Sequence, residues 1–64
     1  MIVKILEENG DFSILGDVNA VESNLNKDDI ILYNKDTGNK LIVNRNDLVY
    51  LKIYSDTMQH ISEI

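Results

Sequence analysis

Residues 28–54 read DDIILYNKDTGNKLIVNRNDLVYLKIY, and this segment carries the strongest structural signal of the chain. Three runs rich in β-branched and aromatic residues alternate with two polar runs of the kind found in turns. We therefore predict strands over about residues 28–34, 39–44 and 48–54. Because short turns join consecutive strands, the three strands are predicted to form an antiparallel meander.

The turns also determine which side chains of the meander share a face. They place Leu32 opposite Leu41 and Ile30 opposite Val43. The third strand extends this face, because its apolar residues alternate with tyrosine and lysine. The predicted core face contains Ile30, Leu32, Leu41, Val43, Val49 and Leu51.

The same register places a second set of side chains on the opposite face. This set, the candidate contact row, comprises Ile31, Ile42 and Tyr50, flanked by Tyr33 and Tyr54. An apolar patch with tyrosines is typical of a surface that binds another protein. Two other interpretations stay open: the C-terminal segment folds back over the row, or a second copy of the chain covers it in a homodimer.

A further hairpin is predicted at the N-terminal end, from strands over residues 2–7 and 11–15. The dipeptide Asn9-Gly10 lies between them and favours a two-residue type I′ turn. In the register of that turn, Ile5 faces Ile14 on the more apolar side of the hairpin.

Two segments are harder to assign. Residues 16–27 have apolar side chains at helical spacing, but the asparagines among them disfavour a helix interior, so a short strand and an irregular crossing segment both stay open. Residues 56–63 are predicted to form a helix, with Ser55 or Asp56 as its N-cap and apolar residues three positions apart. That apolar stripe consists of Met58, Ile61 and Ile64.

Together these segments predict one β-rich α+β domain over residues 1–64. The predicted fold is a small five-stranded antiparallel bent sheet or an SH3-like, partly open barrel, with a short C-terminal helix. The order NGDF, DDIIL, turn, KLIV, DLVYLKI over about residues 9–53 resembles two families of small β proteins, the short flagellar-operon proteins and the C-terminal part of LytTR-type DNA-binding domains. The resemblance implies a small β fold, but the chain lacks the basic residues that a LytTR-like domain uses to bind DNA.

Acidic residues are concentrated in the first half of the chain. Residues 1–29 contain seven acids against two lysines, whereas residues 30–64 contain four acids and four bases. The seven acids are Glu7, Glu8, Asp11, Asp17, Glu22, Asp28 and Asp29. A negative field repels nucleic-acid phosphates, so direct binding of DNA or RNA is not expected. The acids are interpreted either as ordinary solvated surface or as a mimic of a phosphate track that blocks a nucleic-acid enzyme.

Composition also bears on the cellular compartment. The chain has no cysteine, so disulfides and thiolate metal sites are excluded, and this is compatible with the cytoplasm. The apolar runs beside Lys4 are too short for a signal peptide or a membrane span. We therefore predict a soluble cytoplasmic protein that does not associate with a membrane.

Three local patterns have the residue types of catalytic or metal sites. The tripeptide Asp-Thr-Gly at residues 36–38 matches that of aspartic proteases, but it lies in a predicted turn and the chain is far shorter than a protease subunit. On a helix, His60 would lie near Asp56 and Glu63, yet one histidine with two mobile carboxylates makes a poor metal site. The serines have one histidine among them and no elbow sequence. We therefore predict no enzyme activity, no metal or other cofactor and no small-molecule substrate.

These observations favour a protein-binding module. The leading hypothesis is a small acidic phage or mobile-element protein that binds and inhibits a host protein, such as a defence nuclease or another nucleic-acid enzyme. Its support is the small size, the acidity, the candidate contact row and a richness in Asn and Ile that is typical of low-GC coding. The alternative is a cellular regulatory or structural adaptor that acts as a homo-oligomer through the same row. A nucleic-acid binder that uses Lys40, Arg45 and Lys52 is the least favoured class.

Overall fold

The chain folds, in a computed structural model, into two antiparallel β-sheets of four and three strands. The structure describes residues 1–24, 27–57 and 59–64, without the side chain of Asn24. The strands are β1 (Ile2–Glu7), β2 (Phe12–Leu15), β3 (Ala20–Asn24), β4 (Asp29–Tyr33), β5 (Lys40–Asn44), β6 (Leu48–Tyr54) and β7 (His60–Glu63). A short 3-10 helix, Arg45–Asp47, lies between β5 and β6. The prediction of a β-rich fold is thus confirmed.

The two sheets share one hydrophobic core. The four-stranded sheet has the order β2-β1-β6-β7, and the three-stranded sheet has the order β3-β4-β5. Side chains alternate between the two faces of a strand, so each sheet turns one set inward. The buried core residues are Val3, Ile5 and Leu51 from the four-stranded sheet, Ile30, Leu32 and Val43 from the three-stranded sheet, and Val18 from the segment before β3. The opposite face of each sheet is left for solvent or a partner.

The hairpin of β4 and β5 has the predicted register. Ile30 lies opposite Val43 and Leu32 lies opposite Leu41. The Asn34 side chain closes its loop. Its Oδ1 accepts hydrogen bonds from the backbone N–H groups of Asp36 and Thr37, at 2.9 and 3.0 Å. Such an asparagine mimics a backbone turn, which explains why the polar run here was a reliable turn signal.

The prediction that β6 continues this sheet is wrong. The 3-10 helix carries the chain across to the other sheet, where β6 pairs with β1. Alternating apolar residues turn one side of a strand toward the core whichever neighbour it has, so the pattern of β6 did not specify its partner. Two residues predicted in the core are consequently exposed, Leu41 by 40% and Val49 by 57%. Val49 has no partner in β1, because Leu6 pairs with Tyr50 and Glu7 with Leu48, so it forms a β-bulge.

The first hairpin forms, but with a register that differs from the prediction by one residue. Ile14 lies opposite Lys4 rather than Ile5. The loop has three residues instead of two, because the N–H of Glu7 donates to the carbonyl of Asp11 at 2.9 Å. Gly10 ends the loop with φ +92°, the arrangement of a three-residue turn with a left-handed last residue.

The predicted C-terminal helix is also wrong. Residues His60–Glu63 form β7, which pairs with β6, and the strand is followed by two hydrogen bonds between Ile64 and Leu51, of 2.8 and 2.9 Å. An added strand satisfies the backbone groups along the edge of β6, which a helix would leave unpaired. Met58 of the predicted stripe lies outside the described residues. The described strands therefore number seven in two sheets that do not close into a barrel, instead of five with a helix.

Candidate functional site

The outer face of the four-stranded sheet combines apolar, aromatic and cationic side chains. Val3, Ile5 and Leu51 point into the core, so their neighbours along β1 and β6 point outward. The pairings assign ten residues to this outer face: Ile2, Lys4, Leu6, Phe12, Ile14, Tyr50, Lys52, Tyr54, His60 and Glu63. Two of them, Phe12 and Ile14, are 52% and 57% exposed although both are large and apolar.

Cross-strand pairing arranges the outer face in rows. Phe12 lies opposite Leu6, which in turn lies opposite Tyr50, so one row is entirely apolar and aromatic. The next row contains Ile14 and Lys4, followed by Lys52 and Glu63 on β6 and β7. Neighbouring side chains in such rows are within contact distance, so the outer face is one continuous surface.

Both lysines of the outer face lie against tyrosine rings. The Lys52 ammonium is 4.7 Å from the centroid of the Tyr50 ring, and the Lys4 ammonium is 5.2 Å from that of Tyr54. Tyr54 also meets His60, with ring centroids 5.3 Å apart and planes at 48°. Cation–π contacts at these distances restrict the mobile lysine side chains. This surface is apolar at one end and locally cationic in its centre, on a chain whose net charge is −5.

An exposed surface of this composition can bind by contact rather than by chemistry. Aromatic side chains with a polar tip provide contact area and a hydrogen-bonding group together, as they do at protein interfaces. Exposed Phe12 and Ile14 are the apolar groups that a partner would remove from water.

The candidate contact row is divided between the two sheets. Ile31 and Ile42 lie opposite each other on the outer face of the three-stranded sheet, with Tyr33 on the same side. Tyr50 and Tyr54 lie on the four-stranded sheet instead, because β6 pairs with β1. The interpretation that a C-terminal helix covers the row is overturned, since the segment forms β7 at the edge of the other sheet.

Tyr33 makes a specific contact on the three-stranded sheet. Its hydroxyl donates a hydrogen bond of 3.2 Å to Oε1 of Glu22 on the neighbouring strand. Partial desolvation, together with this hydrogen bond and the negative charge of Glu22, raises the pKa of Tyr33 above its ordinary value of 10.0. Tyr33 and Glu22 are thus engaged with each other on a surface distinct from the outer face of the four-stranded sheet.

The seven predicted acids do not form one surface. Glu7 and Glu8 line a groove with Asp47 at one end of the molecule, where the N–H of Glu8 donates to the Asp47 carbonyl at 2.8 Å. Asp28 lies near this end as well, since its carbonyl accepts the N–H of Arg45 in the same 3-10 helix. Asp11 and Asp29 lie near this end too, because the Asp11 carbonyl accepts the N–H of Glu7 and Asp29 pairs with Asn44, directly before the 3-10 helix. The other two are elsewhere: Glu22 contacts Tyr33, and Asp17 follows β2.

The other motifs occupy ordinary structural positions. Residues 36–38 lie in the β4–β5 loop, where Gly38 has φ +77°. The three residues considered as metal ligands are not brought together. His60 and Glu63 lie 3.9 Å apart along β7, whereas Asp56 contacts the N-terminal amino group at 3.2 Å. In the described part of the chain no group of three or more potential metal ligands occurs, and no helix is long and apolar enough to cross a membrane.

Sequence reasoning missed Phe12 and Ile14 as surface residues. The incorrect register turned Ile14 toward the core, next to Ile5. Polarity favoured the same error, because the exposed face of β2 carries Phe12 and Ile14, whereas its less exposed face carries Ser13 and Leu15. Gly10 was the one signal for the observed register. Glycine is favoured at the last position of a three-residue hairpin loop, but it is also favoured at the last position of a two-residue loop, so it did not decide between the two registers.

No protein-family model, curated protein or solved structure matches this chain at a significant level. The resemblance to flagellar-operon proteins and LytTR-type domains therefore gains no support from these comparisons.

Proposed function

We propose that this protein is a protein-binding module that contacts its partner through the outer face of the four-stranded sheet. The observation that carries the proposal is the pair of exposed apolar side chains, Phe12 and Ile14, next to a group of tyrosines and lysines in cation–π contact. Burying such side chains is favourable by roughly 25 cal/mol per Å² of apolar area, so this face has more to gain from a partner than a polar surface would.

Nucleic acid is a less suitable ligand for the same surface. Bases do stack on exposed aromatic rings, but such binding also needs a positively charged groove that follows the backbone. The three bases first considered for that role are dispersed: Lys52 lies on the four-stranded sheet, Lys40 on the three-stranded sheet and Arg45 in the 3-10 helix. The net charge of −5 opposes phosphate at longer range.

The narrower hypothesis is that a phage or mobile element uses this module to inhibit a host nuclease or another nucleic-acid enzyme. The acids that gather at one end of the molecule, Glu7, Glu8 and Asp47, support this form of the proposal. Carboxylates there would complement a basic nucleic-acid channel, and the affinity would then fall steeply as salt is added. A partner held by the outer face alone would show a weak dependence on salt.

The proposal is tested by comparing two variants that introduce the same change on different sheets. Ile14→Lys places a charge on the outer face, whereas Ile42→Lys places it on the three-stranded sheet, and both residues are 57% exposed in the wild type. Substitutions at exposed sites usually alter stability by less than about 0.5 kcal/mol. Ile14→Lys also lies opposite Lys4, and this like-charge pair adds a cost of about 0.2–1 kcal/mol, so both variants are expected to fold but Ile14→Lys is the less stable. Each tagged protein is used to capture partners from a lysate of a low-GC bacterium, with quantification by mass spectrometry.

We expect a stoichiometric partner that the wild type and Ile42→Lys retain and that Ile14→Lys loses. A charge in an apolar contact costs free energy unless it is paired, which is why the outer-face variant should release the partner. Recovery of the bait alone, or equal loss of a partner from both variants, would contradict the assignment of the binding face.

A further inference from the structure

Strand β5 has an edge with no described strand beside it. It is one of the two outer strands of the three-stranded sheet, at the edge where the sequence had predicted that β6 would pair. Of its five residues only Val43 is buried, and Ile42 is 57% exposed. An open edge of this kind is a template for another strand, and proteins that stay monomeric usually protect such edges with prolines, bulges or several charges. In β5 the only such device is Lys40.

The hydrogen bonds at the two ends of β5 show which of its backbone groups point outward. Asn39 accepts the N–H of Asn34 at 2.9 Å, and Arg45 donates its N–H to Asp28 at 2.7 Å. In an antiparallel pair, residues engaged with the partner strand alternate with residues that point away from it. The outward residues of β5 are therefore Lys40, Ile42 and Asn44.

We propose that the occupant of this edge is β5 of a second copy of the chain, paired antiparallel about a twofold axis at Ile42. In that register Lys40 of each copy pairs with Asn44 of the other, and Ile42 pairs with its own counterpart. All three outward residues then form hydrogen-bonded pairs, which supply about six hydrogen bonds between the copies. The two three-stranded sheets become one continuous six-stranded sheet.

The sequence of β5 favours this register over its neighbours. Moving the axis to Leu41 would pair Asn44 with Gly38, which lies in the loop at φ +77°. Moving it to Val43 would pair Lys40 with Asn46, which belongs to the 3-10 helix. Only an axis at Ile42 keeps every pair within the strand.

Side chains on the outer face of the three-stranded sheet fit the same arrangement. Ile31 and Ile42 already lie opposite each other, so the axis creates an uninterrupted row of four isoleucines across the two copies. Lys40 of one copy lies opposite Asn44 of the other copy, and that Asn44 lies opposite Asp29 of its own β4. The lysine and the aspartate, which have opposite charges, therefore share one row. No like charges are brought opposite each other along β5.

Strand β2 is another exposed apolar edge, but it suits a second copy less well. Its outward residues are Phe12 and Ile14 alone, so it offers about four hydrogen bonds where β5 offers about six. Those four bonds require a twofold axis at Ser13, which pairs Phe12 with Ile14. An axis at Ile14 leaves only the Ile14 pair within the strand and places Asp11 of one copy opposite Asp17 of the other. Self-association is therefore assigned to β5, and the outer face of the four-stranded sheet is left free.

The first test measures the mass of the full chain in solution over a range of concentrations. Light scattering or sedimentation equilibrium should show the 7.3 kDa chain changing to twice that mass as concentration rises. Ile42→Lys places two ammonium groups at the axis and should raise the dimer Kd by at least about tenfold. Ile14→Lys, the same change at an equally exposed edge position, should leave the Kd unchanged.

The second test uses the wild-type protein alone, so it does not depend on a variant folding. Amide hydrogen exchange followed by NMR should slow at Lys40, Ile42 and Asn44 as concentration rises, because these N–H groups are bonded only in the dimer. A chain that stays monomeric up to about 1 mM would overturn the proposal. So would a dimer lost with Ile14→Lys but kept with Ile42→Lys, or one whose three outward amides exchange at an unchanged rate.

The two variants separate this proposal from the proposed function. Partner capture should fail with Ile14→Lys, whereas self-association should fail with Ile42→Lys. A protein that captures its partner but remains monomeric would refute only the proposed dimer. A dimer that captures no partner would refute only the proposed binding module.

Discussion

Replacing one leucine in each sheet tests the two-sheet architecture on which both proposals depend. The meander pattern predicts that Leu41 and Leu51 are equivalent core residues that face each other. The structure instead places Leu51 in β6 at 0% exposure, whereas Leu41 lies at the open edge of β5 with 40% of its surface exposed. Leu51→Ala and Leu41→Ala remove the same atoms, so any difference between them comes from their surroundings.

The expected magnitudes follow from burial. Leu51→Ala loses the full transfer free energy and leaves a cavity between the two sheets, which costs about 2–5 kcal/mol. Leu41→Ala loses only about three-fifths of the transfer free energy, because the rest of the Leu41 side chain is already exposed. It also opens no closed cavity, so it should cost about 1 kcal/mol. A domain of 64 residues has a total stability of roughly 3–10 kcal/mol, so the first variant should come close to unfolding and the second should not.

Urea denaturation followed by far-UV circular dichroism measures both free energies of unfolding. The midpoints of the two variants should differ by roughly 1–2 M, given a urea dependence of about 1–3 kcal/mol per M for small proteins. Equal losses, or a larger loss for Leu41→Ala, would show that β6 lies beside β5 as the sequence pattern predicted. The outer face described above would then not exist.

Two further predictions concern single backbone and side-chain features. Gly10→Ala should lower the free energy of unfolding by about 1–2 kcal/mol because Gly10 has φ +92°, whereas Gly16→Ala, where an added Cβ meets nothing, should be neutral or slightly stabilising in the same urea assay. Tyr33 should ionise above pH 10.0, and Glu22→Gln should lower its pKa in a titration of tyrosinate absorbance. Because the folded pKa is raised, the stabilisation is present below the unfolded pKa and is lost as pH rises through the folded one. An unchanged Tyr33 titration in Glu22→Gln would refute the contact.

The sequence predicted both hairpins and the register of one of them, but it was wrong about the β1–β2 register and about the partner of β6. The β4–β5 register was correct because the turn residues determine it, Asn34 by its side chain and Gly38 by its positive φ. The predicted partner of β6 was wrong because the direction of the three-residue 3-10 helix determines whether β6 pairs with β5 or with β1. Alternation of apolar residues carries no information about that direction. The prediction of a C-terminal helix was wrong because a spacing of three also suits a short strand with a bulge, and β7 has such a bulge at Ile61, which pairs with no residue of β6.

The sequence predicted that the candidate contact row lies on one sheet, whereas the structure divides its residues between two sheets. Tyrosines and isoleucines were correctly identified as surface residues, since Ile31, Ile42, Tyr50 and Tyr54 all lie on outer faces. Their division between two sheets could not be anticipated, because it follows from the partner of β6.

The pairing of β1 with β6 has a kinetic consequence for the surface that it creates. The three-stranded sheet joins strands that follow one another along the chain, so its loops are short and it closes at a small entropic cost. The four-stranded sheet brings the first strand to the sixth, and non-local contacts of this kind slow folding. Leu6 meets Tyr50 only after that closure, so we expect the outer face to be assembled last. A partner that recognises this face would distinguish completed molecules from partly folded ones.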